Sequence, residues 1–298
     1  EYGENSARQR FELSAKRLLM NMFRTGLFDN PYTDPVAAAA IVGCDEYVSE
    51  GFNAQKSSVV MLKNRGEVIP VQGRKKVYLP ETSESGHIDL KMVGKYFDIA
   101  SNAEDADFAV AVIGEPKGGT GYSVEDRNAG GNGYVPISLR YGEYTANVAR
   151  EHSIAGGDPL ESSSNRSYRG KTVTSTNAAD ADVITKTKSE LGNKPLVTVV
   201  YATKPFVPAE IEPGSDALFV AFGVQYMSVF EIISGAYEPS AMLPMQLPAD
   251  MATVELQNEE GFGDMECYRD SEGNVYDFAF GLNWTGQVKD WRYRKYHR

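Results

Sequence analysis

Phe108-Ala109-Val110-Ala111-Val112-Ile113-Gly114 is the stretch on which the fold turns. A strand with one wet face alternates apolar and polar residues. This run does not alternate, so it reads as a strand covered on both faces. Leu196-Val197-Thr198-Val199-Val200 has the same character. Working outward, shorter β-prone runs occupy residues 76–80 and 217–222. Helical patterns fall between or beside them, at 90–97, 139–150, 178–191 and 225–234. Alternation of strand and helix predicts an α/β fold: a doubly wound, mostly parallel sheet flanked by helices. About five or six strands are expected across residues 70–250.

Ahead of this region the pattern is helical. Phe11, Ala15, Leu18, Leu19 and Met22 recur at helical spacing across residues 6–24. Gly26 and the Asn30-Pro31 and Asp34-Pro35 pairs then break the chain. The apolar stripe of this helix has no neighbour before residue 36, so it needs a docking surface elsewhere. A second helical pattern is predicted over about 46–64, with Val48, Phe52, Val59 and Leu62 on related faces.

Composition narrows the partners. The chain has 298 residues, 42% of them apolar, which is enough for one large core or two small ones. Acidic residues outnumber basic ones 41 to 30, for a net charge of −11. Such a surface lacks the clustered cations that displace counterions from nucleic acid, so nucleic acid is disfavoured as a partner. No apolar run is long enough to span a bilayer, and no membrane partner is expected. Cys44 and Cys267 cannot form a disulfide framework, and neither has metal-ligand spacing nearby. Neither a metal nor an organic cofactor is expected. The first residue is Glu1, so the start is expected to be a processed or engineered end, and it carries no information about a leader.

In doubly wound sheets, functional loops gather outside the carboxyl ends of the strands. Residues 114–134, following the opening strand, hold seven glycines (114, 118, 119, 121, 130, 131 and 133) and the charged residues Glu115, Lys117, Glu125, Asp126 and Arg127. So long and polar a connection marks a functional loop. It is not a phosphate loop: Thr120 stands where the lysine should follow the second glycine, and Glu115 would face the phosphate. No Gly-x-Ser-x-Gly exists for a serine nucleophile. His152 has no matched nucleophile, and His87 and His297 suggest no role. Glu125 is the candidate acid/base, on a loop able to reach a glycosidic oxygen, with Tyr122 and Tyr134 beside it.

Four segments, in order, resemble glycoside hydrolase family 3. Residues 52–64 (Phe-Asn-Ala-Gln-Lys-Ser-Ser-Val-Val-Met-Leu-Lys-Asn) look like the entry to that family's second domain. Lys194-Pro195-Leu196-Val197-Thr198-Val199-Val200 resembles its Lys-Pro-Val-Val-Val strand. Residues 239–248, from Pro239-Ser240-Ala241 to Pro248, resemble its Pro-Ser-Gly-Lys-Leu-Pro segment, with Ala241 replacing a glycine. Asp277-Phe278-Ala279-Phe280-Gly281-Leu282-Asn283-Trp284-Thr285 resembles its closing Phe-Gly-x-Gly-Leu-Ser-Tyr-Thr. Residues 17–31 also fit the link that leaves the family's first domain.

The resemblance implies residues 1–50 as a helical linker leaving a barrel domain, and 51–298 as an α/β-sandwich domain. It implies a retaining, exo-acting β-glucosidase or β-xylosidase that hydrolyses terminal β-linked glucosyl or xylosyl units of a glycoside or oligosaccharide. Glu125 would be its general acid/base, with Asp126 and Glu115 as rivals. Glu115, Tyr122 and Arg127 would be substrate contacts, Glu115 alternatively orienting the loop. The family's aspartate nucleophile lies on a (β/α)₈ barrel in a Ser-Asp-Trp context. Ser215-Asp216 precedes a strand and is followed by Ala217, so it does not match. The barrel is expected upstream in the same precursor or as a separate chain, and this chain alone is expected to be inactive. Family 3 kinship favours a periplasmic or secreted location. A non-catalytic sugar- or protein-binding module is the alternative. Residues 156–176 depart from short-loop members. There Arg166, Tyr168, Arg169 and Lys171 form a basic-aromatic cluster: a charge-balancing surface loop, a rim near the substrate cleft or an intersubunit contact. Asn165-Arg166-Ser167 also matches a glycosylation acceptor.

Overall fold

The computed structural model describes residues 3–152, 165–257 and 264–296. The serines at 162–164 and His297 lie outside the described residues. The chain divides into two compact units, Glu1–Gly51 and Phe52–Arg298.

The first unit holds helices α1 (Gly3–Arg24) and α2 (Pro35–Ile41) and the start of α3 (Asp45–Lys56). Asp34 caps α2, its Oδ1 accepting from Val36 N at 2.8 Å and Ala37 N at 3.2 Å, and Pro35 supplies the preset first turn. No residue of α1 is buried within its unit. Its apolar stripe thus stays unpaired there.

In the second unit the strands are β1 (Val60–Asn64), β2 (Lys76–Tyr78), β3 (Asp98–Ala100), β4 (Phe108–Gly114), β5 (Tyr144–Thr145), β6 (Thr172–Val173), β7 (Leu196–Tyr201), β8 (Ala217–Ala221), β9 (Leu282–Asn283) and β10 (Gly286–Gln287). Helices α4 (Leu90–Val93), α5 (Val124–Asn128), α6 (Ala179–Leu191), α7 (Tyr226–Ile233), α8 (Met251–Leu256) and α9 (Trp291–Tyr296) intervene. Eight strands form one sheet in the order β10-β9-β1-β8-β7-β4-β2-β3, and β5 and β6 make a separate antiparallel pair. From β3 through β2, β4 and β7 to β8 the pairing is parallel. The expected parallel α/β core is therefore present, extended by an antiparallel flank of β1, β9 and β10.

Every residue of β4 and β8 is buried, which accounts for their unbroken apolar runs. In α6 the residues Asp180, Ile184, Thr187 and Leu191 are buried at helical spacing, and the helix packs on β4 and β7. The segments near 243 and 280 lie side by side: Leu243 N donates to Phe280 O at 2.7 Å, and Ala279 N to Leu243 O at 2.9 Å. A Cβ on Gly281 would collide with the carbonyl oxygen of Ala241, so only glycine permits this approach.

Two helical expectations fail. The pattern at 46–64 breaks at Lys56, and Val60–Asn64 is a strand between β8 and β9. The β-branched pair Val59-Val60 suits a strand buried on both faces better than a helix. Residues 139–150 form turns and β5 instead of a helix. Residues 144–146 pair instead with a stretch distant in sequence: Tyr144 opposes Val173, Thr145 opposes Thr172, and Ala146 N donates to Lys171 O at 3.0 Å. Glu210 braces the turn before them. Tyr141 N donates to its Oε2 at 2.6 Å, and Gly142 N to its Oε1 at 3.0 Å. The helix expected at 90–97 is shorter, covering Leu90–Val93 only.

Candidate active-site loop

The 114–134 connection leaves the carboxyl end of β4, the strand directly beside β2, where the strand order reverses. Glu115 comes first. Its carboxylate accepts from the Thr203 amide, from Thr203 Oγ1 at 2.7 Å and from Lys204 N at 3.3 Å. It therefore ties the loop after β4 to the loop after β7. Asn177 braces the same turn, donating to Glu115 O at 3.0 Å and accepting from Lys117 N at 2.9 Å.

Beyond Gly118, bridged to Ser138, the chain forms a narrow arm. Tyr122 pairs with Tyr134 across it, the rings edge-to-face at 5.7 Å between centroids. Gly133 has φ +86°, and a Cβ there would meet the Tyr122 ring at 2.5 Å, so the ring packing requires that glycine. At the tip Ser123 caps the short helix α5: its Oγ accepts from Asp126 N at 3.1 Å and donates to Glu125 Oε2 at 2.9 Å.

The two candidate carboxylates differ sharply. Glu125 is exposed, and its own amide and then the Ser123 hydroxyl hold its pKa below the ordinary value. Asp126 is partly buried and fully engaged. Lys171 Nζ donates to its Oδ2 at 2.6 Å, and Gly133 N to the same oxygen at 2.8 Å. The Lys171 contact, followed by the Gly133 amide, depresses the Asp126 pKa. Lys171 Nζ also donates to Asn132 Oδ1 at 2.7 Å and Tyr134 O at 2.8 Å. Asn132 Nδ2 reaches back to Asn165 O at 2.9 Å and Ser167 O at 2.7 Å. Two stretches distant in sequence are thus clasped together. Arg127 is exposed and has an interaction of its own.

Sequence reasoning named Lys171 only as one of a basic cluster and missed Asn132 and Glu84. Glu84 accepts from Tyr226 Oη at 3.1 Å, and burial together with this bond pushes Tyr226 up to about 12. Nothing local in the sequence marks Glu84, because its partner lies more than a hundred residues away. Asn165 Nδ2 lies 3.0 Å from His152 Nδ1, a side-chain contact at the surface. Asp216 pairs with Arg65 and with Lys188 at 2.7 Å, a structural setting for the Ser215-Asp216 pair.

No protein-family model matches the chain. It is 26% identical over 93% of its length to a protein described as a probable β-glucosidase C from Aspergillus flavus, of which it covers 35%. A putative β-xylosidase of Formosa agariphila is 22% identical over 91% of the chain, with 36% of that protein covered. Among solved structures, a β-glucosidase of Erythrobacter marinus aligns with 91% of the chain and 39% of its own at a TM-score of 0.53 and 18% identity. A β-glucosidase of Listeria innocua in complex with isofagomine gives 0.51 over 90% of the chain and 38% of its own, at 17% identity. The chain is thus similar to part of several proteins described as β-glucosidases or β-xylosidases. It spans about a third of the length of the curated β-glucosidases it matches. The likeness to the solved structures is one of fold and agrees with the α/β sandwich described above.

Proposed function

We propose that the chain is the second domain of a retaining, exo-acting β-glycosidase releasing terminal β-linked glucosyl or xylosyl units, with Glu125 as general acid/base. One observation carries this reading: in a chain whose curated relatives are β-glucosidases and β-xylosidases, the Glu125 loop leaves the carboxyl end of a central parallel strand. Residues 1–50 act as a linker from a (β/α)₈ barrel and 51–298 as the sandwich domain. The barrel supplies the nucleophile and the floor of the sugar pocket, and the apolar stripe of α1 docks on it.

Glu125 alone is poised as a base, since its pKa is held low. A general acid must be protonated. In a retaining site the second carboxylate stands about 5–5.5 Å away. That like charge, with water excluded, raises the pKa of Glu125. Protonated Glu125 then gives its proton to the glycosidic oxygen as the barrel's aspartate bonds the anomeric carbon. In the second step Glu125 takes a proton from the water that displaces the aspartate. Asp126, held by Lys171, positions the loop; Glu115 orients it against Thr203. Tyr122 and Arg127, flanking Glu125 on the exposed tip, contact the substrate. The exposed, ionised state of Glu125 also suits the alternative, a binding module without chemistry.

The test is Glu125→Ala in the intact enzyme. Hydrolysis of glycosides with poor leaving groups should fall by about 10²–10⁴, activated aryl glycosides less, and azide should restore part of the turnover. Equal losses on both substrate classes with no azide effect would sink the assignment. The present chain alone should not hydrolyse aryl β-glucosides or aryl β-xylosides. Turnover lost in the Glu125→Ala chain would place both carboxylates within these residues.

A further inference from the structure

The Glu125 carboxylate stands at the exposed tip of its loop. Among the described residues one side chain donates to it: Ser123, from Oγ to Oε2 at 2.9 Å. Ser123 is itself fixed by two further bonds. Its amide donates across the arm to Gly133 O at 2.8 Å. Its Oγ accepts from Asp126 N at 3.1 Å, closing the first turn of α5. Gly133 N in turn donates to Asp126 Oδ2, the same oxygen that Lys171 grips. A Cβ on Gly131 would collide with that oxygen, so the turn closes tightly around it. Position is thus passed from the clasp to Ser123, and from Ser123 to Glu125.

A hydroxyl has one hydrogen and two lone pairs. In Ser123 one lone pair is committed to the Asp126 amide and the hydrogen to Glu125 Oε2. A proton placed on Oε2 would force that hydrogen to turn away and give up its bond. A proton placed on Oε1 disturbs nothing. We infer that Ser123 is a positioning residue for the proposed reaction, holding Oε2 so that Oε1 is the oxygen that carries the proton. This rests on Glu125 as the acid/base.

In the first step the Oε1–H bond breaks, and the glycosidic oxygen takes the proton as its bond to the anomeric carbon breaks. In the second step Oε1 takes a proton from the attacking water. The Ser123 hydrogen stays on Ser123 throughout. Its bond favours the ionised carboxylate, which makes protonated Glu125 a stronger acid toward poor leaving groups. In water such a bond contributes little; where a covering domain excludes water it strengthens. The charged groups around Glu125 are Asp126 and Arg127 on α5 and, on the clasping stretch, Lys171 and Arg166, the latter against the Tyr134 ring. Asp126 and Lys171 neutralise each other.

The test is Ser123→Ala in the intact enzyme. For glycosides with poor leaving groups kcat/KM should fall about tenfold, the worth of one hydrogen bond to a charged group, and activated aryl glycosides should lose less. The alkaline limb of the pH profile should move to higher pH, because Glu125 loses a donor to its ionised form. Ser123→Thr keeps a hydroxyl and should recover most of the loss. Ser123→Asp still caps α5 but puts a second carboxylate where the donor stood, so the limb should move further than in Ser123→Ala. In the Glu125→Ala background, Ser123→Ala should cost nothing more. Equal losses with and without Glu125, or an unmoved limb in both Ser123→Ala and Ser123→Asp, would reduce Ser123 to a helix cap and overturn the inference. So would unaltered kinetics in Ser123→Ala where Glu125→Ala behaves as an acid/base variant. A Glu125→Ala enzyme with unchanged leaving-group dependence would remove the acid/base assignment and this inference with it.

Discussion

The two ends of the parallel strands use the same residue types to opposite ends. At the amino ends, Lys63 and Glu212 are 0% and 1% exposed and form an ion pair. Glu212 also accepts from Tyr268 Oη at 2.9 Å and Ser271 Oγ at 2.8 Å, so each of its oxygens is satisfied. Asp216 alongside holds Arg65, Lys188 and the Leu196 amide. At the carboxyl ends the ion pair of Lys171 with Asp126 is partly solvated, and Glu125 beyond it has no cation among its causes of shift. Charge is spent on holding strands in register at one end. At the other it is graded, from a clasp that shapes the loop to a carboxylate left accessible.

The strongest attempt to break this contrast is at the buried pair. Lys63→Met leaves Glu212 buried without its cation and should cost about 3–5 kcal/mol in urea unfolding. A loss under about 1 kcal/mol would mean water reaches the pair, and the contrast would fail. Acid sharpens the same point. Burial alone would raise Glu212 and Asp216, but their hydrogen bonds and cations bring both below the ordinary carboxylate range. Folded values lower than unfolded ones give stability that is present above about pH 4 and lost as pH falls through the folded values. Glu212→Gln should flatten the fall of stability below about pH 4 by roughly one proton.

An intermediate effect belongs to the clasp. Lys171→Met removes three hydrogen bonds at a partly exposed site, so global stability should drop only about 1–2 kcal/mol. Amide exchange across residues 121–134 should accelerate far more than in β4 and β7. Uniform acceleration would make the clasp part of the core. The smallest effect is expected of Glu125→Gln, which should leave the denaturation midpoint unchanged. A clear shift there would give Glu125 a structural role and weaken the case for its availability.

How far the sequence disclosed this arrangement depended on whether the deciding contact was local. The runs at 108–113 and 196–200 announced their strands because burial on both faces is written in each residue. Val60–Asn64 was masked, because Val48, Phe52, Val59 and Leu62 happen to fit a helical period across what is really a helix, a turn and a strand. Residues 139–150 were lost to β6, whose strand pairs with Tyr144–Thr145 from a place 27 residues or more along the chain. Loop position and the carboxylate pair at 125–126 were legible from composition. Which carboxylate is free and which is held was not, since the holder, Lys171, lies 45 residues on.

Placing β1 inside the sheet has a consequence for the chain's behaviour in a test tube. Its first four residues are buried, and β8 and β9 flank it on either side. The hairpin of β9 and β10 is short, and it comes from the far end of the chain. Cut away residues 264–296, by protease or by cloning, and β1 becomes an apolar border with unpaired amides and carbonyls. Borders of that kind recruit one another. A product trimmed there would be expected to precipitate rather than unfold, and β9 and β10 serve as the seal that keeps copies of the domain apart.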